Sequence, residues 1–323
     1  MADHGDNPFS HLSLLHRPAL HDSVLPTLLN CISSIAKSLR DFHRVTLAGS
    51  NNAFGDDQLV VDVLAERIIR SEIAAKCPYI VTASSEEEPE ESAAHDKSTA
   101  DLAEKYTIAF DPLDGSSIIG SNWTVGTIIG IWDGASALHQ DPTEKQIGAV
   151  LGVYGSRTTA IVALRIPGTS PTCLEISVSE NGSRIIRPKI ELLDPPFQTR
   201  YFAPANLRAS AEDERYAKLI SRYMQEKYTL RYSGGLVPDV VNTLVKGHGI
   251  YVSPVTEKSK AKLRRLYELA PVALVMECAG GSAIDPVDGK RILDRQIQNC
   301  DERAGLVCGT TEEVELVKQS LTT

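Results

Sequence analysis

The hydrophobic residues of the amino-terminal half follow two different periods. From Asp22 to His43 they recur every three or four residues, which is the spacing of one buried helix face. The same spacing predicts a second helix over residues 57–75, after a loop over residues 46–55 that contains Gly and Asn. Later segments are continuous apolar runs rich in β-branched residues, which are typical of strands buried on both faces of a sheet. These predicted strands are residues 123–132, 148–155 and 158–166.

The carboxyl-terminal half mixes predicted helices with short predicted strands. Helical spacing indicates helices over residues 211–226, 238–246, 260–278 and 312–321. Short apolar runs predict strands near Tyr201 and over residues 249–253, besides the earlier strands 79–82, 106–110, 173–179 and 183–190. Two adjacent prolines in "LLDPPFQ" interrupt both kinds of element, so we expect a domain boundary there, between residues 1–196 and 197–323.

Four acidic elements break this apolar pattern. They contain Asp56 with Asp62, Glu86 with Glu87, Asp111 with Asp114, and Glu268. Hard cations such as Mg²⁺ take oxygen ligands, mostly from carboxylates, substrate phosphate and water. Plainer interpretations exist for two of the elements: Asp56 suits a helix N-cap, and the Glu-rich run over residues 84–98 suits a solvated loop. Asp62 interrupts an apolar helix face, so it needs a partner such as Glu87 or a metal-bound water.

The stretch "FDPLDGSS" has the clearest chemical pattern. Asp111 is expected at the carboxyl end of a strand, where α/β proteins usually bind ligands. Pro112 stiffens the turn, and Asp114 and the Leu113 carbonyl return oxygens toward the same space. Gly115 allows a positive φ that would aim the amides of residues 115–117 at an anion. An Asx-type turn that only closes the strand fits the same residues equally well.

Cationic residues gather in two carboxyl-terminal motifs. "TLRYSGG" contains Arg231 beside Tyr232, and "KAKLRR" contains Lys262, Arg264 and Arg265. Arginine binds phosphate through two parallel hydrogen bonds, so both motifs are candidate phosphate clamps. A basic helix face over water is the alternative interpretation of the second motif.

Composition narrows the classes of partner. A chain of 323 residues can bury a large core, and a net charge of −9 disfavours nucleic acid. The six cysteines are scattered without a CxxC motif, which indicates reduced thiols in a cytoplasmic protein. The first twenty residues lack the apolar core of a signal peptide, and no run of about 18 apolar residues predicts a membrane span.

Five segments together resemble the fructose-1,6-bisphosphatase family, within the wider lithium-sensitive phosphatases. They are "FGDDQLVVDVLA", "SSEEEPE", "FDPLDGSS", "LRYSGGLVPDV" and "AKLRRLYE…AGG", in this order, and the resemblance covers residues 22–315. It implies an α/β (α+β) fold, the layered α-β-α-β-α sugar phosphatase fold with two mixed sheets sandwiched by helices. Other segments, such as "SNWTVGTIIGIW" and "FAPANLRA", are most similar to the branch of the family that acts on sedoheptulose 1,7-bisphosphate.

The resemblance also implies roles for individual residues. The metal ligands would be Asp56, Glu86, Asp111, Asp114, Glu268 and the Leu113 carbonyl, while Asp62 and Glu87 would orient and deprotonate water. The reacting phosphate would lie on Gly115, Ser116, Ser117 and Arg264. The distal phosphate and sugar would lie on Asn206, Arg231, Tyr232, Lys262 and the backbone of Gly234, Gly235 and Leu236. In the family the arginine at the position of Arg231 comes from a neighbouring subunit, which implies a homodimer or homotetramer.

The implied activity is hydrolysis of the C1 phosphate of sedoheptulose 1,7-bisphosphate to sedoheptulose 7-phosphate and phosphate. Roughly two or three Mg²⁺ ions per subunit would assist, with Mn²⁺ able to substitute. The fructose branch has tyrosines near Ser253 and Ala209 that are missing here, which makes room for a seven-carbon sugar. Fructose 1,6-bisphosphate is an alternative substrate. Inositol or nucleotide phosphates, and a sugar-phosphate-binding role without catalysis, are further alternatives.

Overall fold

This computed structural model describes residue 9 and residues 17–42, 46–51, 57–95 and 101–322 of the chain. Two long helices come first in these ranges. A π-helical turn leads into α1 (Leu25–Asp41), and α2 (Val60–Lys76) follows, which confirms both predicted helices except at the start of the second, where residues 57–59 form a strand. Between them, β1 (Leu47–Asn51) pairs antiparallel with β2 (Asp57–Leu59). The prediction of a loop over residues 46–55 is therefore wrong for β1, because its backbone forms hydrogen bonds with β2. Residues 52–56 lie outside the described residues.

A mixed sheet of eight strands follows, counted over the described residues. Its strands are β3 (Ile80–Ser85), β4 (Ser92–Ala93), β5 (Tyr106–Asp114), β6 (Val125–Asp133), β7 (Gln146–Tyr154), β8 (Thr158–Leu164), β9 (Thr172–Ser179) and β10 (Gly182–Arg187). Their spatial order is β10-β9-β8-β7-β6-β5-β3-β4, and β3 runs parallel to β5 while the other neighbours are antiparallel. Two short helices, α3 (Ser116–Ile119) and α4 (Pro142–Lys145), lie between these strands in the sequence.

Successive residues of the central strands enter two different cores. Ile129 and Val150 pack in the core that α1 and α2 cover. Ile128 and Leu151, their neighbours in sequence, pack in the core on the other face. This alternation explains why the strands appear as continuous apolar runs, and it confirms the prediction of a sheet buried on both faces.

A second, five-stranded mixed sheet lies in the carboxyl-terminal part of the described chain. Its strands are β11 (Tyr201–Pro204), β12 (Thr229–Leu230), β13 (Ile250–Ser253), β15 (Ser282–Ile284) and β17 (Leu306–Gly309), in the spatial order β12-β11-β13-β17-β15. A separate pair joins β14 (Leu263–Arg264) to β16 (Arg303–Ala304). The helices are α5 (Glu214–Gln225), α6 (Leu236–Lys246), α7 (Ala270–Cys278) and α8 (Thr311–Thr322).

These elements form alternating layers. Helices α6 and α7 contact strands of both sheets, while α5 and α8 pack together on the outer face of the second sheet. With α1 and α2 on the outer face of the first sheet, the order of layers is α-β-α-β-α. The predicted layered fold with two mixed sheets is thereby confirmed. No helix among the described residues is both long and apolar enough to span a membrane.

Three sequence predictions differ from the structure near the motifs. The helix predicted over residues 260–278 is wrong at its start, because β14 pairs with β16 and only a π-helical turn, Arg265–Leu269, precedes α7. Strand β5 continues past residue 110 to Asp114. The first two residues of the run 84–98 are buried in β3 rather than in a solvated loop.

Candidate active site

Parallel pairing of β3 with β5 brings two acidic motifs to one edge of the first sheet. Ser85 lies opposite Phe110, and the N–H of Glu86 donates to the Phe110 carbonyl at 3.0 Å. Glu86 and Asp111 therefore follow directly after paired residues at the carboxyl ends of two parallel strands. Glu268 lies in the π-helical turn before α7, and this turn contacts β5.

The acidic residues at this edge raise one another's pKa. Asp111 is only 5% exposed, and burial followed by the negative charges of Glu86, Asp114 and Glu268 raises the pKa of its carboxyl well above the usual value. Burial, with the charge of Glu86 next, does the same to the pKa of Glu268. Burial raises the pKa of Asp114 to about 6. Glu86, Asp111, Asp114 and Glu268 thus share one region of low dielectric, which we call the acidic cluster.

Backbone amides hold three of these carboxylates in place. Asp111 Oδ1 accepts from the Leu113 N–H at 2.9 Å, and Glu268 Oε2 accepts from the Arg264 N–H at 2.5 Å. Asp114 accepts from the N–H groups of Leu236 and Val237, at 3.0 and 2.7 Å, where helix α6 begins. Each carboxylate oxygen can accept more than one contact, so these bonds fix direction and leave lone pairs for a ligand.

A buried cation, Arg264, lies against the acidic cluster. Its side chain is 3% exposed, and its guanidinium forms an ion pair with Glu86. The next residue, Arg265, forms a buried ion pair with Asp285. The alternative of a basic helix face over water is therefore wrong for both arginines, because both side chains are buried and paired with carboxylates.

Asp62 lies in the first turn of α2 with one carboxylate oxygen satisfied. Its Oδ2 accepts from the Leu59 N–H at 2.9 Å, whereas its buried Oδ1 has no hydrogen-bond partner among the described residues. Burial raises the pKa of Asp62 to about 7, helped by the charges of Glu87 and Glu86 and opposed by the bond from Leu59. A carboxyl with this pKa can take up or release a proton near neutral pH.

The donors at this edge fit a hard divalent cation. They are buried oxygen atoms, and burial, followed by the negative charge of their neighbours, raises the pKa of Asp111 and of Glu268. The orphaned Oδ1 of Asp62 adds an acceptor without a partner. Over the ranges described, no group of three or more His, Cys, Asp or Glu side chains meets the geometry of a metal site. Asp56, a predicted ligand, lies outside the described residues.

A glycine-containing loop lies beside the acidic cluster. Gly115 has φ +91°, and a Cβ built there would come within 3.6 Å of the Gly235 Cα, so the loop after Asp114 touches the start of α6. Asp239, in the first turn of α6, accepts from the N–H groups of Ser233 and Gly234 at 2.7 and 3.2 Å. The sequence analysis does not single out this buried carboxylate, although an acidic residue in the first turn of a helix that follows a GG pair is a usable signal.

The predicted residues of the distal site fall into two places. The Asn206 side chain donates to the carbonyls of Pro254 and Ser259, at 2.7 and 3.4 Å, so it ties the loop before β14 to the end of β11. Lys262 is exposed in the same loop. Arg231 and Tyr232 line a cavity of about 450 Å³ with Trp123, and no acidic-cluster residue lines it.

The structure therefore brings some predicted residues together and leaves others apart. The acidic cluster, Arg264, Asp62 and Glu87 interact directly or through their charges. Residues 115–117 and 234–236 adjoin them through the Gly115–Gly235 and Asp114–Leu236 contacts. Among the described residues, no hydrogen bond or ion pair links Arg231 to the acidic cluster. Arg231 instead bonds to the carbonyls of Leu230 and Phe202, and its guanidinium lies over the Tyr201 ring.

Family models match nearly the whole chain. Residues 18–180 match the model described as "Fructose-1-6-bisphosphatase, N-terminal domain", and residues 196–322 match "Fructose-1-6-bisphosphatase, C-terminal domain".

Individual relatives come from two groups of phosphatase. The chain is 36% identical to the chloroplastic sedoheptulose-1,7-bisphosphatase of Spinacia oleracea over 309 residues, which covers 94% of this chain and 76% of the relative. It is 35% identical to the class 1 fructose-1,6-bisphosphatase of Syntrophotalea carbinolica, with coverage of 84% and 80%. A crystal structure of a candidate sedoheptulose-1,7-bisphosphatase from Toxoplasma gondii superposes with a TM-score of 0.86 at 32% identity, covering 98% of this chain and 99% of that one.

Proposed function

The chain belongs to the fructose-1,6-bisphosphatase family, and we propose that it hydrolyses the C1 phosphate of sedoheptulose 1,7-bisphosphate, releasing sedoheptulose 7-phosphate and inorganic phosphate. Membership makes it a metal-dependent sugar bisphosphatase. The observation that carries the proposal is the acidic cluster with Arg264 inside it, since this arrangement suits both cations and a phosphate group. The similarity to the spinach sedoheptulose-1,7-bisphosphatase supports the choice of sugar.

The residue roles follow from the chemistry of the site. The proposed metal ligands are Glu86, Asp111, Asp114, Glu268 and the Leu113 carbonyl, together with Asp56, and Mg²⁺ is the proposed metal, with Mn²⁺ as a substitute. Bound divalent cations would supply a water of lowered pKa and stabilise the leaving C1 oxygen. Asp62, with a pKa of about 7, would take the proton of the attacking water, with Glu87 orienting it.

Arg264 and the loop after Asp114 would bind the reacting phosphate. The guanidinium can form two parallel hydrogen bonds with phosphate oxygens, and the amides of Gly115, Ser116 and Ser117 can donate to a third. Uncatalysed phosphate-monoester hydrolysis needs accelerations of up to about 10²¹, whereas proton transfer supplies only about 10²–10⁴. Most of the acceleration therefore has to come from charge stabilisation and alignment by these groups.

The far end of the substrate would use the remaining residues. Asn206, Lys262, Tyr232 and the backbone of residues 234–236 are the proposed sugar and distal-phosphate ligands. Arg231 is exposed beside a cavity that excludes the acidic cluster, which supports an arginine that serves a neighbouring subunit of a homodimer or homotetramer. We further propose that the chain divides at residues 196/197 and that the protein is cytoplasmic.

Fructose 1,6-bisphosphate is the second candidate substrate. Its support is the 35% identity to a class 1 fructose-1,6-bisphosphatase. Both sugars place a C1 phosphate next to a ketose ring, so the same metal site and Arg264 would act on either. Only the residues around the distal phosphate would separate the two.

Parallel steady-state kinetics on the two bisphosphates with Mg²⁺ test the proposal. We expect a higher kcat/KM for sedoheptulose 1,7-bisphosphate, and no phosphate release by the matched variant Asp111→Asn. A clear preference for fructose 1,6-bisphosphate would assign the second candidate. Preference for inositol monophosphate or a nucleotide would move the protein to another branch, and sugar-phosphate binding without phosphate release would make it a binding protein.

A further inference from the structure

The strand that carries Asp111 and Asp114 is irregular at the point where it carries them. In the antiparallel pairing of β5 with β6, Asp111 lies opposite Ile128 and Asp114 lies opposite Gly126. Three residue steps on one strand thus face two steps on the other, which defines a β-bulge over Pro112 and Leu113. A bulge interrupts the ladder and proline has no N–H, so the backbone here needs partners from elsewhere.

Side chains supply those partners at both ends of the peptide unit that joins Pro112 to Leu113. Thr127 Oγ1 donates to the Pro112 carbonyl at 2.8 Å, and the Leu113 N–H donates to Asp111 Oδ1 at 2.9 Å. Because a peptide unit is planar, contacts at its two ends fix its orientation. That orientation constrains Asp111 and the Leu113 carbonyl, which flank the unit and are both proposed metal ligands.

Tyr154, on β7, in turn orients the hydroxyl of Thr127. The two hydroxyl oxygens are 2.6 Å apart and both side chains are buried. Thr127 has a single hydroxyl proton, which it gives to the Pro112 carbonyl, so Tyr154 has to donate to Thr127. Burial raises the pKa of the Tyr154 phenol, which keeps that donor protonated. The hydrogen bonds therefore run in one direction, from Tyr154 through Thr127 to the middle of the acidic motif.

We propose that Thr127 and Tyr154 are positioning residues for the divalent metal site, holding the Pro112–Leu113 peptide unit so that Asp111 and the Leu113 carbonyl face the cation. This inference rests on the proposed function. Water cannot readily replace the lost hydroxyl at a site where Thr127 is fully buried, so its removal leaves the Pro112 carbonyl unpaired. Mutation of a residue that orients a metal ligand typically weakens metal binding by about 10–100-fold.

Mn²⁺ titration of the substrate-free protein, followed by electron paramagnetic resonance of free Mn²⁺, tests the inference without an activity assay. Thr127→Val keeps the side-chain shape and removes the hydroxyl, and we expect it to weaken Mn²⁺ binding about 10-fold or more. Thr127→Ser keeps the hydroxyl and should bind as the wild type does. Tyr154 lies one hydrogen bond further from the metal ligands than Thr127, so we expect Tyr154→Phe to weaken binding by about threefold, which is below that range, and to add nothing in the Thr127→Val background.

Thr107→Val is the matched control. Thr107, on β5, is buried as Thr127 is, and its hydroxyl also donates to a backbone carbonyl, that of Gly134, at 3.0 Å, but at the end of β5 opposite to Asp114. We expect the control to lose similar stability in urea and to keep its Mn²⁺ affinity. The positioning role would be overturned if Thr127→Val and Thr107→Val lost Mn²⁺ affinity equally, or if Thr127→Val kept its affinity. If Thr127→Val fails to fold, unchanged affinity in Tyr154→Phe would overturn it. A wild type that binds no Mn²⁺ would overturn the proposed function and this role with it.

Discussion

Arg264 and Glu86 form an ion pair inside the acidic cluster although 178 residues separate them in the sequence. Arg264 supplies positive charge to a region where buried carboxyls raise one another's pKa. A divalent cation at the same place would compete with the guanidinium for Glu86. Arg264 is thereby suited to two tasks: it balances charge in the metal-free protein and is available to phosphate once cations bind.

Arg264→Met tests the first of these tasks. Removing the guanidinium leaves the acidic cluster without its buried cation, so the free energy of unfolding in EDTA should fall by about 2–3 kcal/mol. Mg²⁺ should restore part of this loss because it replaces the missing charge. Urea unfolding with and without Mg²⁺ measures both effects. Lys37→Met, which breaks an exposed pair with Glu180, is the control and should leave the free energy of unfolding nearly unchanged, because water and salt screen this pair. Equal losses in the two variants would contradict the charge-balancing role.

Asp114→Asn separates the structural part of Asp114 from its proposed metal part. The carboxylate accepts from two N–H groups at the start of α6, where the helix dipole favours negative charge. Asparagine keeps the shape but replaces one accepting oxygen with an NH₂ group that faces an N–H donor, so we expect a loss of about 1 kcal/mol in EDTA at pH 5, where the raised pKa of Asp114 leaves little charge to lose. Urea unfolding in EDTA measures it. Unchanged stability in EDTA would show that Asp114 does not stabilise α6.

The stability of the metal-free protein should fall as pH rises from 5 to 8. Burial raises the pKa of Asp62 to about 7 and that of Asp114 to about 6, and it raises the pKa of Asp111 and Glu268 as well. At a pH between the ordinary and the raised pKa, these carboxyls are protonated in the native state and ionised in the unfolded state. Stability is therefore lost as rising pH ionises them in the native state. We expect a fall of about 2 kcal/mol or more, since one pKa unit corresponds to about 1.4 kcal/mol.

Urea unfolding at several pH values, in EDTA and in Mg²⁺, checks this dependence. Saturating Mg²⁺ should flatten the slope because the cation favours the ionised carboxylates. Asp111→Asn removes one titrating group and should reduce the slope in EDTA. A slope that is the same with EDTA and Mg²⁺ would show that the acidic cluster does not cause it.

Subunit mixing tests whether Arg231 serves a neighbouring active site. Arg231→Ala alone should raise KM for the bisphosphate more than it lowers kcat, and Asp111→Asn alone should be inactive. If the arginine crosses the interface, hybrids of the two variants contain intact metal sites that receive Arg231 from the partner, so mixing should lower KM toward the wild-type value. Unmixed Arg231→Ala at the same concentration is the control. A mixture that keeps the high KM would place Arg231 in its own subunit's site, or outside the site altogether.

The sequence predicted the elements whose burial is uniform and missed those that depend on distant partners. Strands β6, β7 and β8 could be predicted because each has apolar residues on both faces. The spacing of Leu263, Leu266 and Leu269 in the "KAKLRRLYE" segment predicts the start of a long helix, and this prediction is wrong. Its actual conformation depends on pairing with Arg303–Ala304, about which local spacing says nothing. Strand β15, of three residues, is too short for a periodic signal.

The candidate site shows the same division. The acidic residues could be named from their motifs, but the contacts that orient them could not. Asp114 reaches the start of α6 across 122 residues of sequence, and Thr127 reaches Pro112 from the neighbouring strand. Both contacts depend on strand register and layer packing, which are tertiary properties. The motifs name the proposed ligands, and the surrounding fold determines where their side chains point.

Anomalous diffraction from a crystal soaked with Mn²⁺ and phosphate tests the central claim most directly. The account predicts at least two Mn²⁺ peaks about 3.5–4 Å apart, bound by carboxylates of the acidic cluster and the Leu113 carbonyl, with phosphate touching both the cations and Arg264. Asp111→Asn crystals soaked in the same way should show weaker peaks or none. Wild-type crystals with no Mn²⁺ at this edge of the sheet, or with phosphate bound away from it, would contradict the account.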